Sequence, residues 1–75
     1  MNKRQIRLSK LEDAKELVSA ASKCSFDIDV YYNRVVVDAK SILGVMSLDF
    51  TKPLTVEYGG RDSGFEHMLD RFAIC

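Results

Sequence analysis

The sequence has little of what most catalytic or membrane proteins need. It has one histidine, His67, one proline, Pro53, and two cysteines, Cys24 and Cys75. The cysteines share no CxxC spacing and have no histidine placed as a co-ligand, so they read as free thiols, and neither a metal site nor a redox pair is expected. No cofactor is expected either. No run approaches the roughly 20 apolar residues of a membrane span. The opening MNKRQIRL is positively charged but has no apolar stretch of signal-peptide length behind it, so a cytoplasmic protein is expected. Eleven basic and eleven acidic side chains leave no net charge, and so no field to draw nucleic acid or an anionic membrane. Protein partners are the expected ligands.

What is present fits one small globular domain, residues 1–75. Hydrophobic residues make up 47% and charged residues 29%, with no repeats or low-complexity segments. A chain of this size buries only about 60% of the surface its unfolded form exposes, so it can build one modest core.

Periodicity gives the elements. Ile6 and Leu8 flank Arg7, predicting a strand over about residues 3–8. Leu11, Ala14, Leu17, Val18 and Ala21 recur at helical spacing behind Ser9, a candidate cap. Glu12 and Asp13 lie in the first turn, where carboxylates favour the helix dipole. The other face of this helix, with Lys10, Asp13, Glu16 and Lys23, reads as solvated. Phe26, Ile28, Val30 and Tyr32 alternate with Asp27, Asp29 and Tyr31 to give a second strand. The two aspartates read as a solvated edge rather than a metal-binding pair. Asn33 and Arg34 form a tight turn into Val35, Val36 and Val37, so a hairpin is predicted.

Ser41 then stands before a short apolar helix of Ile42, Leu43, Val45, Met46 and Leu48. Pro53 cannot continue it, and Leu54, Val56 and Tyr58 alternate as a fourth strand up to Gly59 and Gly60. Phe65, Met68, Leu69 and Phe72 mark a last helix capped by Asp62 or Ser63 and running to Cys75. A buried Phe72 is expected to be costly to remove, about 3 to 5 kcal/mol. His67 is expected on the solvent side. The order β-α-β-β-α-β-α predicts an α+β protein: a four-stranded antiparallel sheet, helices on its apolar face, the other face wet.

One stretch adds a resemblance. Residues 40–48, KSILGVMSL, differ by a single apolar exchange from the KSIMGVMSL typical of HPr, the histidine-containing phosphocarrier of the bacterial phosphotransferase system, in low-GC Gram-positive bacteria. Ala21, Ser22, Lys23, Tyr32 and Asn33 continue the likeness, which spans roughly residues 14–58 without gaps. The resemblance implies the HPr-like open-faced β-sandwich, with sheet order 1-4-2-3. It also implies a regulatory role for Ser41, whose family counterpart is phosphorylated by a dedicated HPr kinase/phosphorylase. The modified family protein then serves as corepressor for a LacI-type catabolite regulator. By the same resemblance Ile42, Leu43, Val45 and Met46 are the partner-binding residues. The reading of Ser41 as only an N-cap stands beside this one.

Upstream the sequence departs from the family. The ungapped correspondence puts Lys10 at the phosphorylated histidine, Glu12 at the arginine and Asp13 at the proline, and only Ala14 fits. A phosphohistidine carrier needs an imidazole nucleophile, an arginine and free helix amides around the phosphoryl group. A protonated, solvated Lys10 offers no such transferable site near pH 7, and Glu12 and Asp13 after it would repel a phosphoryl group. The expectation is a non-catalytic homologue, like the catabolite-repression HPr-like proteins that lack the histidine but keep the serine. It would be a monomer or a weak homodimer. The alternatives are a phosphocarrier using an atypical acceptor such as His67, and an interaction module with no phosphotransferase role.

Overall fold

The computed structural model describes residues 1–74, so the expectations attached to Cys75 lie outside the described residues. In chain order the elements are β1 (Asn2–Ile6), α1 (Leu11–Ser22), β2 (Ile28–Tyr32), β3 (Val35–Asp38), α2 (Ile42–Met46), β4 (Leu54–Tyr58) and α3 (Ser63–Phe72). The strands form one antiparallel sheet ordered β1-β4-β2-β3, the order implied by the resemblance.

Alternation along the strands sorts the two faces of the sheet. Leu54, Val56 and Tyr58 of β4 are buried with Ile6, Ile28 and Val30, and this face packs against Ala14, Leu17 and Ala21 of α1, Val45 of α2, and Phe65, Met68 and Leu69 of α3. On the opposite face the cross-strand register lines up Lys3, Glu57, Asp29 and Asp38 in one row and Gln5, Thr55, Tyr31 and Val36 in the next. Asp29 is therefore an outward-facing strand residue. Asp27 and Phe26 precede β2, which starts two residues later than the alternation predicts.

The hairpin turn is built on Asn33, the one non-glycine residue with positive φ among those described, at 51°. Asn tolerates this left-handed conformation better than most residues. Beyond β4 the chain turns at Gly60 directly over the ring of Phe26. A Cβ on Gly60 would lie 2.3 Å from Phe26 Cδ2, so only glycine allows the approach. The Phe26 ring stacks on Tyr58 at 6.3 Å between centroids, and Tyr58 meets Phe65 edge to face at 5.4 Å. The Tyr58 hydroxyl donates to Glu66 Oε2 at 3.0 Å, which satisfies its polar end.

α3 is capped by Asp62, whose carboxylate accepts from the Phe65 amide at 2.8 Å, and it ends at Phe72. Phe72 is only half-buried, because the chain leaves the helix there to lie beside β1. The Arg7 amide donates to Phe72 O at 3.0 Å, Ile6 bridges Ala73, and the Ile74 amide donates to Gln5 O at 2.9 Å. Ion pairs tie α3 outward as well, Arg4 to Asp70 at 2.7 Å and Arg71 to Glu16 of α1.

Candidate functional site

The start of α1 differs from the simple capped helix expected. The residue at the N-cap is Lys10, with extended backbone (φ −149°, ψ 168°), and Ser9 lies one position outside it. The cap is supplied from within the helix. Asp13, at the third helical position, turns its carboxylate back so that Oδ2 accepts from the Ser9 amide (2.9 Å), the Ser9 hydroxyl (2.9 Å) and the Lys10 amide (3.3 Å). Asp13 is thus buried, 9% exposed, and not on the solvated face where its spacing had put it. The Ser9 amide, helped by the Ser9 hydroxyl, the Lys10 amide and the Lys10 charge, holds the carboxyl below the ordinary carboxylate range, against an opposing effect of burial. The sequence signal for this was a carboxylate three residues after the N-cap, the reciprocal half of a capping box. Lys10 and Glu12 are exposed. Leu11, expected in the apolar stripe, is half-exposed, since as the first helical residue it lies beyond the end of the packed face.

At α2, Ser41 is the N-cap. Its Oγ accepts from the Gly44 amide at 3.2 Å while the side chain stays exposed. Next to it, the Lys40 ammonium donates to Cys24 O at 2.9 Å. A Cβ on Gly44 would meet both Ser41 Oγ and Val37 Cβ at 3.3 Å, so the small residue lets α2 lie close on β3. The four residues expected to meet partners divide. Leu43 is 79% exposed and Met46 40%, and Ile42 is partly covered. Val45 is fully buried in the core, which corrects its assignment to the surface: in a helix this short, the side that faces the sheet cannot also face a partner.

α1 and α2 pack against each other, whereas His67 lies on the exposed side of α3 and makes no side-chain hydrogen bond among the described residues. Cys24 is buried with its thiol against Ala20 O, and burial pushes the thiol up from its ordinary range. No group of three His, Cys, Asp or Glu among the described residues is arranged to hold a metal, and no described helix is long and apolar enough to cross a membrane. A hollow of about 340 Å³ opens on the wet face of the sheet beside Gln5, Tyr31, Lys52 and Thr55, and includes neither Ser41 nor Lys10.

Comparison with known proteins agrees with this architecture. The family model described as the PTS HPr component phosphorylation site matches residues 10–72. Among solved structures, HPr-C-His from Thermoanaerobacter tengcongensis is 26% identical with a TM-score of 0.76, over 95% of this chain and 89% of that one. The phosphocarrier protein HPr from Bacillus anthracis strain Ames is 22% identical with a TM-score of 0.71, over 95% of each chain, a likeness of fold. With the family match spanning most of its length, this chain belongs to the HPr family of the phosphotransferase system.

Proposed function

We propose that the chain is a non-catalytic member of the HPr family that has lost the phosphohistidine relay, works in the bacterial cytoplasm through protein partners, and is regulated by phosphorylation at Ser41. One observation carries the first half of this reading. The Asp13 carboxylate is held at the entry to α1 by the Ser9 amide and hydroxyl and the Lys10 amide, so an internal anion already sits beside the place an incoming phosphoryl group would take. Lys10 at the N-cap offers no imidazole, and the carboxylates Glu12 and Asp13 would repel a phosphoryl dianion.

The regulatory half is supported by the exposure of Ser41, by its hydroxyl facing the first turn of α2, and by Leu43 and Met46 standing exposed on that helix. A phosphate on Ser41 would replace a neutral acceptor with a dianion beside the Gly44 amide, which favours retention of α2. Partners of the class expected from the family are an HPr kinase/phosphorylase-like kinase and a LacI-type regulator.

Two incubations test the reading. With the first enzyme of the phosphotransferase system and phosphoenolpyruvate, no phosphoryl group should be incorporated; label on His67 or Lys10 would overturn loss of the relay. With an HPr kinase and ATP, one phosphate should map to Ser41 and vanish in Ser41→Asn, which keeps a capping acceptor but has no hydroxyl. Absence of phosphate, or phosphate surviving that substitution, would sink the regulatory half.

A further inference from the structure

The two edges of the sheet are not alike. β1 is covered along part of its outer side by residues 72–74, through the Arg7 to Phe72 and Ile74 to Gln5 bonds. β3 has no such cover among the described residues. It carries three successive valines and neither lysine, proline nor bulge, the usual devices that protect an edge. Val36 is 59% exposed and Val35 42%.

The hydrogen-bond phase of β3 fixes which groups face outward. The Ala39 amide donates to Ile28 O at 2.9 Å. In an antiparallel pair the residues alternate between bonding toward the partner and away from it, so Val35, Val37 and Ala39 aim their backbone groups at β2. Val36 aims both its N–H and its C=O at solvent, while at the end of the strand Asp38 O accepts from the Ser41 amide at 3.0 Å and Asp38 Oδ1 from the Lys40 amide at 2.9 Å, which leaves the second carboxylate oxygen of Asp38 without a bond among the described residues.

Charge points the same way. The row Lys3, Glu57, Asp29, Asp38 crosses the sheet with a cation at its β1 end and a carboxylate at its β3 end. Asp29 and Asp38 are directly opposed, an unfavourable like-charge pair. Arg34, exposed at the other end of β3, takes part in no ion pair among the described residues.

We propose that β3 is a homodimer interface, in which a second copy of this chain pairs antiparallel about a two-fold axis through Val36. That register sets Val36 against the partner copy's same residue with both backbone bonds made. It also places Arg34 of each copy across from Asp38 of the other, completing the acidic row with a cation at each end. Such an interface is the same patch used twice, and with β1 partly covered the assembly closes as a dimer instead of growing into a fibre. The inference is independent of the role of Ser41.

Sedimentation velocity of the full chain over a concentration series is the test, with circular dichroism to confirm folding. Concentration-dependent dimerisation that weakens with added salt is expected; a monomer at every concentration up to about 1 mM would overturn the proposal. Val36→Pro removes only an outward N–H, so it should leave a folded monomer; a dimer that persists in it would overturn the proposal. Arg34→Asp and Asp38→Arg should each weaken self-association by about tenfold or more. Mixed together they should dimerise again, since each then offers the charge the other needs. If the mixture stays monomeric while wild type dimerises, the register is wrong.

Discussion

Replacing Asp13 by asparagine isolates the charge at the start of α1. All three donors reach one oxygen, Oδ2, so an amide oxygen can take its place without changing the geometry. What is lost is the ionic character of three hydrogen bonds and the attraction between a carboxylate and the positive end of the helix. Charge-assisted hydrogen bonds are roughly twice as strong as neutral ones, and a carboxylate in the first turn adds about 0.3–1 kcal/mol. Since α1 begins at a wet surface, a total of about 1–2 kcal/mol at neutral pH is expected. That is a substantial part of the roughly 4–11 kcal/mol a chain of this length commands. The pH dependence follows from the lowered carboxyl. Its stabilisation is complete above the unfolded-state value, near the ordinary 3.8. It is lost progressively as pH falls from there through the depressed folded-state value, because the unfolded chain takes up the proton first. Urea unfolding of wild type and Asp13→Asn at pH 7, 5 and 3, followed by circular dichroism, should show a gap that is unchanged between pH 7 and 5 and narrows at pH 3. The other carboxylates are shared by both proteins and cancel in the difference. A gap of the same size at all three pH values would refute the ionic account of this cap.

Other substitutions test the packing. Phe65→Ala, at a fully buried ring in contact with Tyr58, should cost about 3–5 kcal/mol, and Phe72→Ala less because that ring packs against the core but is only partly buried; a larger loss for Phe72→Ala in thermal melts would contradict the placement of α3. Gly60→Ala should destabilise by about 1–3 kcal/mol through overlap with Phe26, and much less in a Phe26→Ala background, a coupling that a double-mutant cycle measures. Leu43→Asp should leave the melting curve within about 0.5 kcal/mol of wild type, whereas Val45→Ala should lose about 1.5–3 kcal/mol; the reverse order would invert the assigned faces of α2.

The sheet and its helices were legible because period-two and helical patterns record which side of each element is buried. Leu54, Val56 and Tyr58 alternate in the sequence, and all three are buried in the fold. Element ends were less legible, for they depend on contacts between distant segments. β1 stops at Ile6, and α3 gives way after Phe72 to a segment lying beside β1, a pairing between the two ends of the chain that no local pattern encodes. Asp13 was misplaced for a related reason. Helical spacing puts its Cα on the solvent side, but the side chain is short enough to fold back over the helix end, where donors outweigh exposure.

The stretch KSILGVMSL shows why a strong family likeness can say much about fold and less about activity. Its residues serve separate physical demands: Val45 and Leu48 fill the core, Ser41 closes the first turn of α2, and Gly44 lets that helix approach β3. Each of these is required to build the fold whether or not a phosphoryl group is ever transferred. Leu43 and Met46 are not, since neither is buried, although isolated exposed apolar side chains are common on protein surfaces. The argument for a partner at this site therefore rests on those two exposed side chains together with the accessible hydroxyl of Ser41. The argument against a relay rests on the start of α1, where the fold is intact, Lys10 stands at the N-cap, and the Asp13 carboxylate, held by Ser9 and Lys10, puts a negative charge beside the place a phosphoryl group would take.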